Sequence, residues 1–353
     1  MARMLMKGNE AIAEAAIAAG CRYFFGYPIT PQSEIPEYLS KRLPEVGGVY
    51  LQAESEVAAI NMVFGAAGAG VRVMTSSSSP GISLKQEGIS SIACAETPAV
   101  VVNMMRGGPG IGSIQASQND YFQAVKGGGH GDYHNLVYAP ASIQEACDLM
   151  AKAFDRADYY RVLCMVLGDG MLGQMMEPVE IKPVKIAEYD KSWATTGWDG
   201  VSRPRAVINT LYITVDELNE LCGRLQAKYK IIERDEVLFE EFHLDDAEYV
   251  VVAYGTVARI VKNAIENLRA QGIKVGLFRP ITLWPFPMLP LENIAGQARV
   301  KRFAAVEMSA GQLVQDVRLA VNGKKPVELQ SFLGSNVPGP GDIAEFIRGL
   351  KTA

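Results

Sequence analysis

The chain has 353 residues, 48% of them hydrophobic and 21% charged, with a formal net charge of −5. That length predicts more than one domain with sizeable cores, and an acidic balance without basic blocks excludes a nucleic-acid-binding role. No apolar run is long enough to span a bilayer, and the N-terminal MARMLMKGNEAIAEA runs into a helical pattern without a signal core, so a cytoplasmic location is expected.

Strand and helix patterns alternate from about residue 7 to 175. Asn9–Ala19 reads as an Ala-rich helix stopped at Gly20. Tyr23–Phe25 reads as a short aromatic strand, and Thr30-Pro31 as the N-cap and first position of the next helix. Val49–Gln52 and Val71–Thr75 read as strands on either side of an Ala-rich helix over Glu56–Ala69. A helix over Ser83–Glu96 leads into Ala99–Met105, AVVVNMM, a continuous apolar strand of the kind buried on both faces. Ser142–Tyr159 reads as a helix and Val162–Leu167 as a last strand. This alternation predicts α/β architecture, with a doubly wound parallel sheet over residues 1–175. Residues 176–235 differ. Their prolines, WATTGWDG and a charged helix over Val215–Glu233 suggest a connector with an excursion. The alternation resumes at Tyr249 with YVVVAYG, a helix over Val257–Ala270, the strand KVGLF and the Pro-rich RPITLWPFP. The strand RFAAVEM, a helix over Gln312–Val321, a strand near Val327 and a terminal helix complete a second, smaller α/β domain over residues 236–353.

Two glycine runs suggest dinucleotide binding and fail on context. GGPGIGS (107–113) follows an apolar strand but reads G-x-G-x-x-S, and QASQND after it is a poor helix start for a pyrophosphate. FGAAGAG (64–70) closes a helix and follows no strand. His130 and His134 lie in a Gly-rich loop without a third ligand nearby, so no metal is expected there. Of the five cysteines, Cys21, Cys94, Cys147 and Cys164 sit in apolar or helical contexts and Cys222 among more polar neighbours. None forms a CxxC pair, so free thiols are expected, with neither disulfides nor an iron–sulfur cluster.

Three features fall at the carboxyl edge of the first predicted sheet, where open α/β sheets form sites. They are GYPITP (26–31), AESE (53–56) and MMRGGPG (104–110), which make Thr30, Glu56 and Arg106 candidates. By spacing alone, each has a plain structural reading. Thr30 can be a helix cap, Glu56 a first-turn carboxylate favoured by the helix dipole, and Arg106 the partner of a surface acid. The run Ser76–Ser79 reads as a loop at the same edge.

YPITP, a Ser-Glu pair at the head of an Ala-rich helix and an Arg after the fourth strand resemble the pyrimidine-binding domain of the 2-oxoacid:ferredoxin oxidoreductases. RPITLWPFP (279–287) and VEMSAGQL (306–313) resemble the second, transketolase-C-terminal-like domain of their alpha-type subunit. HGDYHNLVYAPAS (130–142) resembles a further family segment, in which Pro-Arg commonly stands in place of His134-Asn135. The resemblance covers nearly the whole chain and is nearest to the 2-oxoisovalerate type, with 2-oxoglutarate as the competing substrate.

That resemblance implies a coenzyme A-dependent oxidative decarboxylation of a 2-oxo acid, with thiamine diphosphate as cofactor and ferredoxin as electron acceptor. Glu56 would hydrogen-bond the aminopyrimidine ring and promote its imino form, with Glu54 as the rival carboxylate. Thr30 and Arg106 would bind the substrate's carboxylate, and Tyr27, Pro28, Ile29, Ser76 and Ser77 would border the cofactor. GDG (168–170) resembles the motif that holds magnesium and diphosphate in thiamine enzymes, but no Asn lies between Asn135 and Asn209 to act as a further ligand. GDG therefore reads as a turn after a strand, and no metal is assigned to this chain. The family's site would then be shared: a beta subunit would supply the diphosphate pocket, magnesium and an iron–sulfur cluster, and a ferredoxin-like or gamma subunit would join it. A non-catalytic binding paralogue of the same fold is the alternative of another class, and retention of Thr30, Glu56 and Arg106 together speaks against it.

Overall fold

The structure is a computed structural model that describes residues 3–350. Its first sheet has eight strands. Six run parallel in the order Leu136–Tyr138, Leu163–Asp169, Ala99–Gly107, Val73–Ser77, Tyr23–Gly26 and Val49–Gln52. The central strand Ala99–Gly107 is buried along all nine residues, as its unbroken apolar run demands. Helices Gly8–Ala18, Glu34–Glu45 and Ile143–Tyr160 pack together, and Glu56–Gly68 packs with Ser79–Cys94. Right-handed crossovers place these two groups on opposite faces of the sheet, giving the doubly wound arrangement that the alternation predicts.

Helix starts follow local chemistry. Ser55, Ser142 and Thr214 each accept a hydrogen bond from a main-chain N–H in the first turn, at Ala58, Glu145 and Glu217, which satisfies one of the orphan donors there. Thr30-Pro31 does not open a helix. The pair lies in a turn, the helix begins at Glu34 after Ser33, and the Pro31 carbonyl is taken by the side-chain amides of Asn9 (2.8 Å) and Gln174 (3.1 Å). Side chains from distant helices override the local cap signal. The next discrepancy is smaller: the expected helix over Ser83–Glu96 runs from Ser79 to Cys94, with Pro80 at its start. Ser76 and Ser77 belong to the strand Val73–Ser77 and not to a loop.

A second sheet of five strands runs in the order Phe239–Phe242, Val275–Pro280, Tyr249–Val252, Arg302–Glu307 and Val327–Ser331, parallel except for its first member. Helices Gly255–Arg269 and Pro340–Gly349 pack as one pair, Met288–Ala295 and Leu313–Val321 as another. Glu307 explains part of VEMSAGQL: it is fully buried and accepts from the N–H groups of Gln312, Leu313 and Val314 at 2.9–3.0 Å, capping the helix that follows.

The two sheets are tied together closely. Gln118 exchanges main-chain and side-chain hydrogen bonds with Met308 and Tyr254, and the Arg279 guanidinium forks onto Glu145 at 2.8 and 2.9 Å. The Pro-rich segment sends Thr282–Trp284 across to pair antiparallel with Leu136–Tyr138 at the edge of the first sheet. Between the sheets in sequence, Met176–Val179 pairs with Met4–Lys7, residues 180–213 carry no helix or strand, and a helix spans Val215–Asp235.

Candidate active site

The chain leaves Tyr23–Gly26 for Val49–Gln52 on one side and then returns to Val73–Ser77 on the other. This is a topological switch point, and ligands of open α/β sheets bind in the crevice outside the carboxyl ends there. The sequence candidates surround that crevice.

Glu56 opens the helix Glu56–Gly68 and is 6% exposed. Its carboxylate packs over Gly81 of the facing helix: a Cβ added at Gly81 would lie 2.7 Å from Glu56 Oε1 and 2.1 Å from Ser77 Oγ. The glycine thus makes room for both oxygens. No hydrogen-bond donor reaches the Glu56 carboxylate among the described residues. Glu54 is exposed and accepts only from its neighbour Ser55 at 3.2 Å, so geometry separates the two carboxylates that spacing left open.

Thr75, Ser76, Ser77 and Ser78 are all fully buried. Ser76 donates to Gln32 Oε1, but Thr75 Oγ1, Ser77 Oγ and Ser78 Oγ have no partner. Leaving a buried hydroxyl unsatisfied costs about 1–3 kcal/mol, so three in one short run mark a place where polar ligand atoms fit. Tyr27, Pro28 and Thr30 are exposed and Ile29 is half-buried on the loop above, with the Tyr27 carbonyl accepting from Gln32 Nε2 at 3.4 Å.

Arg106 lies within its strand and not after it, because Ser113–Ala116 folds back to pair with the strand's end. It pairs with no carboxylate among the described residues. Nη1 donates to the Thr30 carbonyl at 2.9 Å and Nη2 to the Ile111 carbonyl at 3.0 Å, while Nε is buried without a partner. Thr30 and Arg106 therefore meet directly, through the main chain of the first. Glu56 joins them only by way of Ser77 and the helix Ser79–Cys94.

Behind Arg106 lies a network that sequence reading missed. The Arg106 N–H donates to Ser79 Oγ at 3.0 Å, and Ser79 Oγ donates to Asp120 Oδ2 at 2.6 Å. Asn103 Nδ2 donates to the same oxygen at 3.0 Å. Burial raises the pKa of the Asp120 carboxyl, while Ser79, Asn103 and Arg106 pull it back down. Asn103 was the one available signal, a lone amide inside an apolar strand. Lys85, fully buried beside Glu56, left none. Arg106 lines neither of two nearby cavities itself, but each is bordered by one of the residues that it bonds, Ile111 and Thr30. One, of about 890 Å³, is bordered by Ser79, Ile111, Asn119, Asp120 and Ser309. The other, of about 550 Å³, is bordered by Thr30, Glu34, Ile114, Met171 and Val337.

The remaining motifs have structural duties. Asp169 of GDG is buried, accepts from the N–H groups of Met171 (2.9 Å) and Leu172 (3.1 Å), and takes a further hydrogen bond from Thr256 Oγ1. Burial raises its pKa and those bonds oppose the rise. His134 stacks on Trp284 at 4.5 Å between ring centres and meets Tyr229 edge-on, so the 130–142 and 279–287 segments pack against each other. Burial lowers the His134 pKa. Among the described residues, no three His, Cys, Asp or Glu side chains group to hold a metal ion, all five cysteines are free, and no helix is long and apolar enough to cross a membrane.

Known proteins share the sequence families and the fold. Residues 14–205 match the pyruvate flavodoxin/ferredoxin oxidoreductase thiamine-diphosphate-binding family, and residues 247–343 match the pyruvate:ferredoxin oxidoreductase core domain II. The ketoisovalerate oxidoreductase subunit VorB of Methanothermobacter thermautotrophicus is 51% identical over 99% of this chain and 98% of its own length. The 2-oxoglutarate synthase subunit KorA of Methanocaldococcus jannaschii is 36% identical over 98% of this chain and 99% of its own. The solved 2-oxoglutarate:ferredoxin oxidoreductase from Magnetococcus marinus superposes with a TM-score of 0.88 at 25% identity, covering 98% of this chain, which spans 65% of that one. A split-gene transketolase at 14% identity and a TM-score of 0.59 shares the fold. The chain therefore belongs to the 2-oxoacid:ferredoxin oxidoreductases, as a subunit carrying their thiamine-diphosphate-binding domain.

Proposed function

We propose that this subunit grips the cofactor's aminopyrimidine ring and the substrate's carboxylate in an enzyme that oxidatively decarboxylates a branched-chain 2-oxo acid, 2-oxoisovalerate. The acyl group passes to coenzyme A and two electrons pass singly to ferredoxin. The residues fit the ring: a buried carboxylate without a donor lies beside three buried hydroxyls without partners. When bound, thiamine diphosphate supplies a carbanion and a sink for the electrons released on decarboxylation. Glu56 holds and returns a proton at the ring nitrogen, from a water-poor position suited to that exchange. Tyr27, Pro28, Ile29, Ser76 and Ser77 border the ring. Arg106 spends two of its five N–H donors on carbonyls and buries a third at Nε, leaving one on each terminal nitrogen for a carboxylate, which the Thr30 hydroxyl joins.

The rest of the site comes from other chains. Asp169 is committed to a helix start and to Thr256, so a beta subunit supplies the diphosphate pocket and magnesium. The cysteines are dispersed, so partner subunits, a ferredoxin-like or gamma chain among them, carry the iron–sulfur clusters. The assembly works in the cytoplasm.

One observation carries the substrate reading: among the described residues, no lysine or arginine lines either of the cavities bordered by Ile111 and Thr30, the residues that Arg106 bonds. The second carboxylate of 2-oxoglutarate would enter beside a Glu34 that already holds Lys7 at 3.4 Å, with no cation of its own in the lining, at a cost, whereas an isopropyl tail suits Ile114, Met171 and Val337. The higher identity to the ketoisovalerate subunit than to the 2-oxoglutarate subunit points the same way. The test is kcat/KM for both acids on one preparation of the assembled complex. A higher value for 2-oxoisovalerate is expected. A ratio favouring 2-oxoglutarate would overturn the substrate assignment and leave the roles of Glu56 and Arg106 standing.

A further inference from the structure

The helix Ser79–Cys94 carries a charge that the reading above does not use. Lys85 is fully buried, and lysines are almost never so without an ionic partner. Its Nζ has one acceptor, the main-chain oxygen of Glu56 at 3.5 Å, and it forms no ion pair with a carboxylate among the described residues. Lys85 follows Gly81 by one helical turn, so the two share a stripe of the helix surface. Gly81 leaves room for the Glu56 carboxylate. Gly88, the next residue on that stripe, closes against Ile60, whose Cγ2 would lie 2.5 Å from a Cβ there. The seam between helices Glu56–Gly68 and Ser79–Cys94 is therefore tight above and below, with one ammonium set at Glu56. Packing alone would be served better by an apolar side chain, because desolvating an ammonium is costly.

We propose that Lys85 is a positioning residue for Glu56: its ammonium anchors the Glu56 main chain and supplies the positive charge that holds the carboxylate in place over Gly81. The proposal rests on Glu56 being the proton partner of the cofactor ring. Burial lowers the Lys85 pKa to about 8, and the Glu56 charge pulls it back up. Glu56 is the charged group that acts on it. The strands beneath contribute threonine, serine and asparagine, with Arg106 held away at Thr30. On the loop above, His130 faces Ser90 and Tyr133 faces Gln86. The ammonium is present below its pKa and lost as pH rises through it, so the positioning is lost over the same range.

The experiment measures kcat and KM against pH for the assembled complex with wild-type, Lys85→Met and Lys85→Arg subunits. Wild-type kcat should fall as pH rises through about 8. Lys85→Met should lower kcat by about 10–100-fold, the scale of a displaced reacting group, with KM little changed and the alkaline limb gone. Lys85→Arg keeps a charge that does not titrate there, so it should recover part of the rate and keep it at high pH. Lys85→Met with wild-type kcat and a wild-type alkaline limb would overturn the proposal. Should Lys85→Met fail to assemble, the melting temperature of the Glu56→Gln complex decides. Removing the carboxylate should lower it more at neutral pH, where Lys85 is charged, than well above the Lys85 pKa, and an equal loss at both would overturn the proposal. Full turnover in Glu56→Gln would overturn this proposal and the reading of Glu56 together. Lost turnover there beside an unaltered Lys85→Met would overturn this proposal alone.

Discussion

At Arg106 two main-chain carbonyls take the place that a carboxylate holds beside most buried guanidiniums. The planar fork bridges Thr30 and Ile111, which ties the first-strand loop to the hairpin after the central strand and leaves one N–H on each terminal nitrogen uncommitted. A lysine has one nitrogen and cannot span both carbonyls while also meeting a substrate. Arg106→Lys in the complex should therefore raise KM for the oxo acid by about 10–100-fold, the worth of one charge-assisted hydrogen bond. Steady-state kinetics would show this, and an unchanged KM would place the substrate's carboxylate elsewhere. Single residues were legible where chemistry sat in a short motif. Glu56 stood out at the head of its helix, although its burial did not, since the space over Gly81 comes from another helix. Asp120, Ser79 and Asn103 come together only through folding across 17 to 41 positions, and spacing carries no trace of such a meeting.

Elements were legible in proportion to how far local chemistry decided them. Helices with a Ser or Thr cap and an apolar stripe, such as Ile143–Tyr160 and Val215–Asp235, fall within about two residues of their expected bounds, the usual fraying of helix ends. Thr30-Pro31 misled because Asn9 and Gln174 capture the Pro31 carbonyl. The strand Thr282–Trp284 was invisible, since a three-residue strand inside a Pro-rich segment has no periodicity and is defined by pairing with Leu136–Tyr138. GDG illustrates the same point from the other side. Its aspartate opens a short helix and bonds Thr256. Asp169→Ala should then destabilise the subunit by about 1–2 kcal/mol, the loss of a cap, while leaving the affinity of the assembled complex for thiamine diphosphate and magnesium unchanged. Calorimetric melting and cofactor titration measure the two, and a selective loss of magnesium affinity would return Asp169 to the diphosphate site.

Over the whole molecule, two sheets are joined through Gln118, Tyr254 and Met308, and the candidate residues Thr30, Glu56 and Arg106 gather at the carboxyl edge of the first. Parallel architecture followed from the alternation of elements, and the family followed from separate motifs agreeing in order. The branched-chain substrate came from the resemblance alone, which the 51% identity to a ketoisovalerate oxidoreductase subunit supports, because in the proposed assembly partner chains complete the pocket. The purified subunit alone should fold, bind thiamine diphosphate weakly and oxidise no 2-oxo acid, and adding the beta chain should restore both functions. Robust turnover by the isolated chain would contradict the shared-site account. The most direct test replaces the carboxylates one at a time in the assembled complex and follows oxidation of the 2-oxo acid in the presence of coenzyme A and ferredoxin. Glu56→Gln should cut turnover by about 10²–10⁴-fold, the usual contribution of a positioned acid–base group, with assembly intact. Glu54→Gln should be near normal. The reverse pattern would contradict the account.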